Sequence, residues 1–80
     1  FGVFPNPFNN NFTIGFESKF PATKTEGILF DMVGREIQRF EINGDRGVQT
    51  VETDLAAGIY ILVLEIDGLR TEGVRIIRGK

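Results

Sequence analysis

The side chains of this sequence that could do chemistry are scattered carboxylates, one tyrosine and a run of asparagines. Histidine and cysteine are absent. That removes the usual nucleophile–base pairs and the ligand sets of zinc, haem and iron–sulfur centres. Two carboxylates can act together as general acid and base, and Glu36, Glu41, Asp45, Glu52 and Asp54 are the candidates. They fall in turns and at solvent positions of strands, with no convergent pair, so they read as solubilising charge and no catalytic residue is assigned. Asn9-Asn10-Asn11 offers amide oxygens to calcium, but no carboxylate stands among them, and neither a metal nor a cofactor is expected. Asn11-Phe12-Thr13 matches a glycosylation sequon, a short motif that recurs by chance and here also suits a turn ahead of a strand.

Four other stretches are more specific. In Asp31-Met32-Val33-Gly34-Arg35, the Asp and Gly suit a tight turn, and Arg35 can pair with Asp31 across the mouth of a hairpin. In Asp54 to Leu64 (DLAAGIYILVL), Tyr60 fits a corner tyrosine whose hydroxyl turns back onto the preceding loop. Gly58 would free the chain to enter that strand, and Leu55 would plug the loop into the core. In Phe4 to Phe8 (FPNPF), Pro5 and Pro7 fix φ and lack a backbone N–H, and Asn6 is pushed to an extended conformation. The result is a stiff joint, pinned to something apolar by the two phenylalanines. Finally, Val74-Arg75-Ile76-Ile77-Arg78-Gly79-Lys80 is basic and apolar by turns. It is either a last strand with solvated arginines or a terminal strand offered to a partner's sheet, and composition leaves both open.

These motifs must be positioned by strands. Phe12 to Ser18 alternates Phe12, Ile14 and Phe16 with Thr13, Gly15 and Glu17. Phe20-Pro21-Ala22 closes that strand. Gly27 to Met32 and Arg35 to Ile42 flank the tight turn, and Asn43 to Gly47 is a turn cluster. Val48 to Thr53 is polar and fits an edge or the surface, whereas Gly58 to Ile66 is apolar on both faces and fits the centre of a sheet. Asp67-Gly68 is a two-residue hairpin signal, with Leu69 to Arg78 returning. No helical period is present. The pattern predicts an all-β fold, a small immunoglobulin-like antiparallel β-sandwich of about 6–7 strands, the last of these at Phe1 to Phe4. A small barrel is the other closure of the same strands.

The chain of 80 residues, 41% apolar with eight phenylalanines, is sized for one small domain, with 1–11 as linker and lead-in and 12–80 as the sandwich. The net charge of −2 argues against a nucleic-acid partner. No run is long and apolar enough to span a bilayer as a helix. Lack of cysteine removes a disulfide staple without fixing a compartment. A chain opening on Phe1 is expected to be a piece of a longer protein.

Taken together, the motifs resemble the type A C-terminal sorting domain of the type IX (Por) secretion system of Bacteroidetes, over about Phe4 to Lys80. The family's aromatic-Pro-x-Pro opening is matched by Phe4, Pro5, Asn6 and Pro7, and its polar turn and alternating strand by Asn9 to Phe16. Its Asp-x-x-Gly-Arg hairpin is matched by Asp31, Gly34 and Arg35, and its Leu-x-x-Gly-x-Tyr by Leu55, Gly58 and Tyr60. A basic, apolar last strand completes the order. The chain departs where the family usually has proline, here Ala56, and where it often has lysines, here Glu72 and Gly73; Arg70, Arg75 and Arg78 remain as basic candidates.

The resemblance implies a domain that is not an enzyme and needs no cofactor. It would be an address, read in the periplasm by an outer-membrane translocon, that carries an upstream cargo in the same chain to the cell surface or the medium. A sortase-like peptidase would then remove it, and the domain itself would not insert into a membrane. Val74, Arg75, Ile76, Arg78 and Lys80 become the candidate recognition residues, with the backbone edge of that strand expected to be accessible. Two other classes fit the residues: a fibronectin-like spacer or adhesive module, and a carbohydrate-binding accessory module of a secreted protein. Lack of tryptophan weighs against the second.

Overall fold

Strands follow the alternations closely. The computed structural model describes residues 1–17, 24–43, 46–71 and 73–79, and of Arg46 the backbone only. The strand end expected at Phe20-Pro21-Ala22 lies outside these residues, as do Gly44, Asp45, Glu72 and Lys80. The elements are β1 (Gly2–Phe4), β2 (Asn11–Glu17), β3 (Thr25–Phe30), β4 (Glu36–Ile42), β5 (Arg46–Glu52), β6 (Gly58–Ile66), β7 (Leu69–Arg70) and β8 (Val74–Arg78). Among the described residues there is no helix.

Two antiparallel sheets result. One has three strands in the order β1-β2-β5; the other has five, in the order β4-β3-β6-β7 with β8 also paired to β6. This is the all-β, sandwich-like architecture expected. The polar strand β5 lies at an edge, and apolar β6 is central, paired with β3 on one side and with β7 and β8 on the other. At the Asp67-Gly68 turn both residues have positive φ (48° and 87°), as a two-residue hairpin of this twist requires.

The return from that turn is interrupted. Pairing runs from Glu65↔Arg70 to Leu62↔Val74, three steps along β6 but four along the return. One extra residue is therefore accommodated between Arg70 and Val74, as in a β-bulge.

The space between the sheets is filled by the inward side chains: Phe12 and Ile14 of β2, Leu29 of β3, Leu62 and Leu64 of β6 and Ile76 of β8 among them. Phe8 joins them although it precedes β2, at 1% exposure. Its ring meets Phe12 edge-on at 5.1 Å, and Phe12 meets Phe40 edge-on at 6.3 Å. Residues 1–11 are thus woven in: Gly2–Phe4 pairs with β2 through Val3↔Ile14, and Phe8 is core. Gly27 makes room for Phe40, since a Cβ at position 27 would lie 2.3 Å from that ring.

Candidate functional site

The Asp31–Arg35 turn uses up its own polar groups. Asp31 Oδ1 accepts the backbone N–H of Val33 (3.0 Å) and of Arg35 (2.9 Å), and Oδ2 accepts Arg35 Nε at 2.8 Å. Gly34, at φ 95°, donates its N–H to Asp31 O and closes the turn. The Arg35 backbone N–H, helped by its guanidinium and by Val33, holds the Asp31 carboxyl below its ordinary pKa. An ionised carboxylate with this many donors positions a turn and is a poor proton acceptor.

Tyr60 is engaged in the same way. Its Oη donates to Ala56 O at 2.7 Å, back onto the loop before β6, while half-buried Leu55 packs against the core. Gly58 opens the strand between them.

The FPNPF segment lies on the outer edge of β8. Both of its X-Pro bonds, Phe4-Pro5 and Asn6-Pro7, are cis. Asn6 Nδ2 donates to Arg75 O (3.1 Å), and Asn6 Oδ1 accepts Ile77 N–H (2.9 Å). Phe8 N–H donates to Ile77 O (2.8 Å), and Gly79 N–H donates to Phe8 O (2.7 Å), a parallel bridge between Phe8 and Arg78. The backbone edge expected to be accessible is therefore occupied by Asn6 and Phe8 of this segment. Pro5 and Pro7 offer no N–H to a further strand, so this segment seals the edge where an ordinary strand would extend it. The opposite side of the sandwich is closed by glutamines. Gln49 of β5 donates to Glu41 O and accepts Asn43 N–H, and Gln38 of β4 donates to Glu52 O.

The candidate recognition residues separate by face. Ile76 is fully buried and Val74 packs against the core. Arg78 is half-buried and its guanidinium donates to Gly79 O. Arg75 is exposed on the outer face, opposite Ile61 of β6, and its neighbour pair is Ile59↔Ile77.

The rest of that outer face carries an ionic lattice that composition did not reveal. Arg39 reaches Glu36 (2.9 Å), Glu26 (3.1 Å) and Glu65 (3.3 Å), and Arg70 Nε reaches Glu65 at 3.1 Å. Arg70 also lies 5.5 Å over the Phe30 ring. Arg39 holds Glu36 below its ordinary pKa, and Arg70, with Arg39, does the same for Glu65. Beneath this lattice Ile28 and Val63 are 0% and 9% exposed, although they face away from the core.

Among the described residues no three acidic side chains gather into a metal site. An open depression of about 350 Å³ is lined by Phe1, Thr71, Gly73 and Val74, none of them titratable at its side chain near neutral pH. The missed features share one cause: they depend on which strands are neighbours. The signal for Asn6 was nonetheless present, since a side-chain amide carries one acceptor and donors in the geometry of a peptide unit, and two flanking prolines cannot supply them.

A family model described as a secretion system C-terminal sorting domain matches residues 2–78. No curated protein matches the chain, and no solved structure does.

Proposed function

Because the chain belongs to the family of secretion system C-terminal sorting domains, we propose that it is a non-catalytic address directing an upstream cargo across the outer membrane through the type IX translocon. The observation that carries this reading is the extent of the family match, which takes in the structure from β1 to the end of β8. The use of polar groups supports it: Asp31, Arg35, Asn6 and Tyr60 are engaged in holding turns and edges, which suits a body that is recognised as a shape. The cargo would pass through the periplasm to the surface or the medium. There a sortase-like peptidase would separate it from the domain. Recognition falls to the last strand and the chain end beyond it, through Val74, Arg75, Ile76, Arg78 and Lys80. Of these, Val74 and Ile76 act by anchoring the strand.

The test is a fusion of a signal peptide, a fluorescent cargo and residues Phe1 to Lys80, expressed in a Bacteroidetes host that has the system. Fluorescence is expected at the surface or in the medium, and in the periplasm when the host lacks the translocon. Retention of the folded fusion in the periplasm of the competent host would overturn the sorting role.

A further inference from the structure

The structure assigns the partner contact to the outer face of β6 and β8, over Ile59, Ile61, Arg75 and Ile77, and to a protein surface that sets a carboxylate among apolar side chains. This rests on the sorting reading and names the surface and partner chemistry of its recognition strand. Cross-strand register brings the four residues together, as Ile59↔Ile77 and Ile61↔Arg75. Their inward neighbours Tyr60, Leu62, Val74 and Ile76 are committed to the core. Beside the extra residue of the return, Ile61 lies over Gly73, where a Cβ would come within 2.5 Å of it.

Charge identifies the partner. Arg35 is paired with Asp31, Arg39 with Glu26, Glu36 and Glu65, and Arg70 with Glu65, while Arg78 donates to Gly79 O. Arg75 has no ion pair or side-chain hydrogen bond among the described residues. It stands opposite Ile61, with Ile77 two residues along on the same face. An arginine in apolar surroundings is the kind of group that anchors interfaces through a carboxylate on the other side. Covering also changes along the face. Where Arg39 and Arg70 roof it, Ile28 and Val63 are buried; at the β6–β8 end no ion pair among the described residues forms such a roof, and Ile59 and Ile77 are 41% and 37% exposed.

The mode of contact is set by the closed edge. Asn6 and Phe8 already hold Arg75 O, Ile77 N–H, Ile77 O and Gly79 N–H. A partner engaging β8 therefore meets its side chains, and strand addition would first have to displace this segment.

The experiment compares export of the full-length fusion with that of Arg75→Gln, Arg75→Glu, Arg75→Lys and the pair Ile59→Thr/Ile77→Thr, which keeps β-branching on the sheet. Thermal melts of each purified protein report folding. Export is expected to fall about tenfold or more for Arg75→Glu and the isoleucine pair, with Arg75→Gln intermediate, at unchanged melting temperature. Arg75→Lys, which keeps the charge but loses the guanidinium fork, should fall between Arg75→Gln and the parent. Val48→Thr, exposed on the other sheet, should export normally.

Should Arg75→Glu shift the melt, Arg75→Gln decides the question. Parent-level export of a folded Arg75→Gln together with the isoleucine pair would overturn the inference and leave the sorting role intact. A parent fusion that is never exported overturns the sorting role itself. The purified chain is also tested by light scattering and with phosphatidylglycerol vesicles. A monomer that ignores vesicles is expected; dimerisation or vesicle binding abolished by Arg75→Glu would give the patch to a second copy or to lipid and overturn a protein partner.

Discussion

Asn6 and Ile77, separated by 71 positions in the chain, are joined as if on adjacent strands: the Asn6 side-chain oxygen accepts the Ile77 N–H at 2.9 Å. The same amide donates to Arg75 O at 3.1 Å, so one side chain replaces a peptide unit on both of its hydrogen-bonding sides. Replacing it with alanine leaves two edge groups to water and frees the segment between the prolines. Asn6→Ala should destabilise the domain by about 1–3 kcal/mol. Asn6→Asp should fall between, since a carboxylate still accepts from Ile77 but has no donor for Arg75 O. Urea denaturation checks both; an unchanged midpoint for Asn6→Ala would mean that the amide contributes nothing.

Tyr60→Phe removes the hydroxyl that holds Ala56 O at 2.7 Å. A loss of about 1–2 kcal/mol is expected, with the loop before β6 becoming faster in amide exchange. Export of a fusion carrying the change should match the parent at temperatures where the domain is folded. Normal stability with defective export would show that the phenol serves recognition and has no part in the corner.

The strands themselves were legible because they rest on local patterns. Phe12, Ile14 and Phe16 alternate, Gly58 to Ile66 is apolar on both faces, and Asp67-Gly68 can hardly be anything but a hairpin turn. The expected strand Gly27 to Met32 lay two residues late, because the Asp31 side chain already caps the turn that Met32 occupies. What escaped is whatever depends on register. Arg39 meets Glu26 and Glu65 on two other strands, and no spacing along the chain encodes that meeting. The seal on β8 escaped for the same reason: Asn6 and Pro7 predict extended backbone but not which edge it lies on.

Acid should weaken the fold in a defined window. Asp31, Glu36 and Glu65 have pKa values depressed by folding, through the Arg35 backbone N–H, Arg39 and Arg70 respectively. A group depressed in this way stabilises the native state above its unfolded pKa, and that contribution disappears as the pH falls through the folded value. The loss therefore begins as the pH drops below 4.5 for the glutamates and below 3.8 for Asp31, while these groups leave stability level over roughly pH 5 to 8. Melting temperatures across this range check it, and Asp31→Asn should remove the part that appears at lowest pH. A stability that rises on acidification would contradict these ion pairs.

The seal between residues 6–8 and β8 also bears on the order of folding. Phe8 is buried in the core, and its backbone N–H and C=O are both taken by residues of β8 and just beyond it, Ile77 and Gly79. Contacts that close so long a loop form slowly and late. Loss of β8 would therefore leave Phe8 without its backbone partners as well as removing Ile76 from the core.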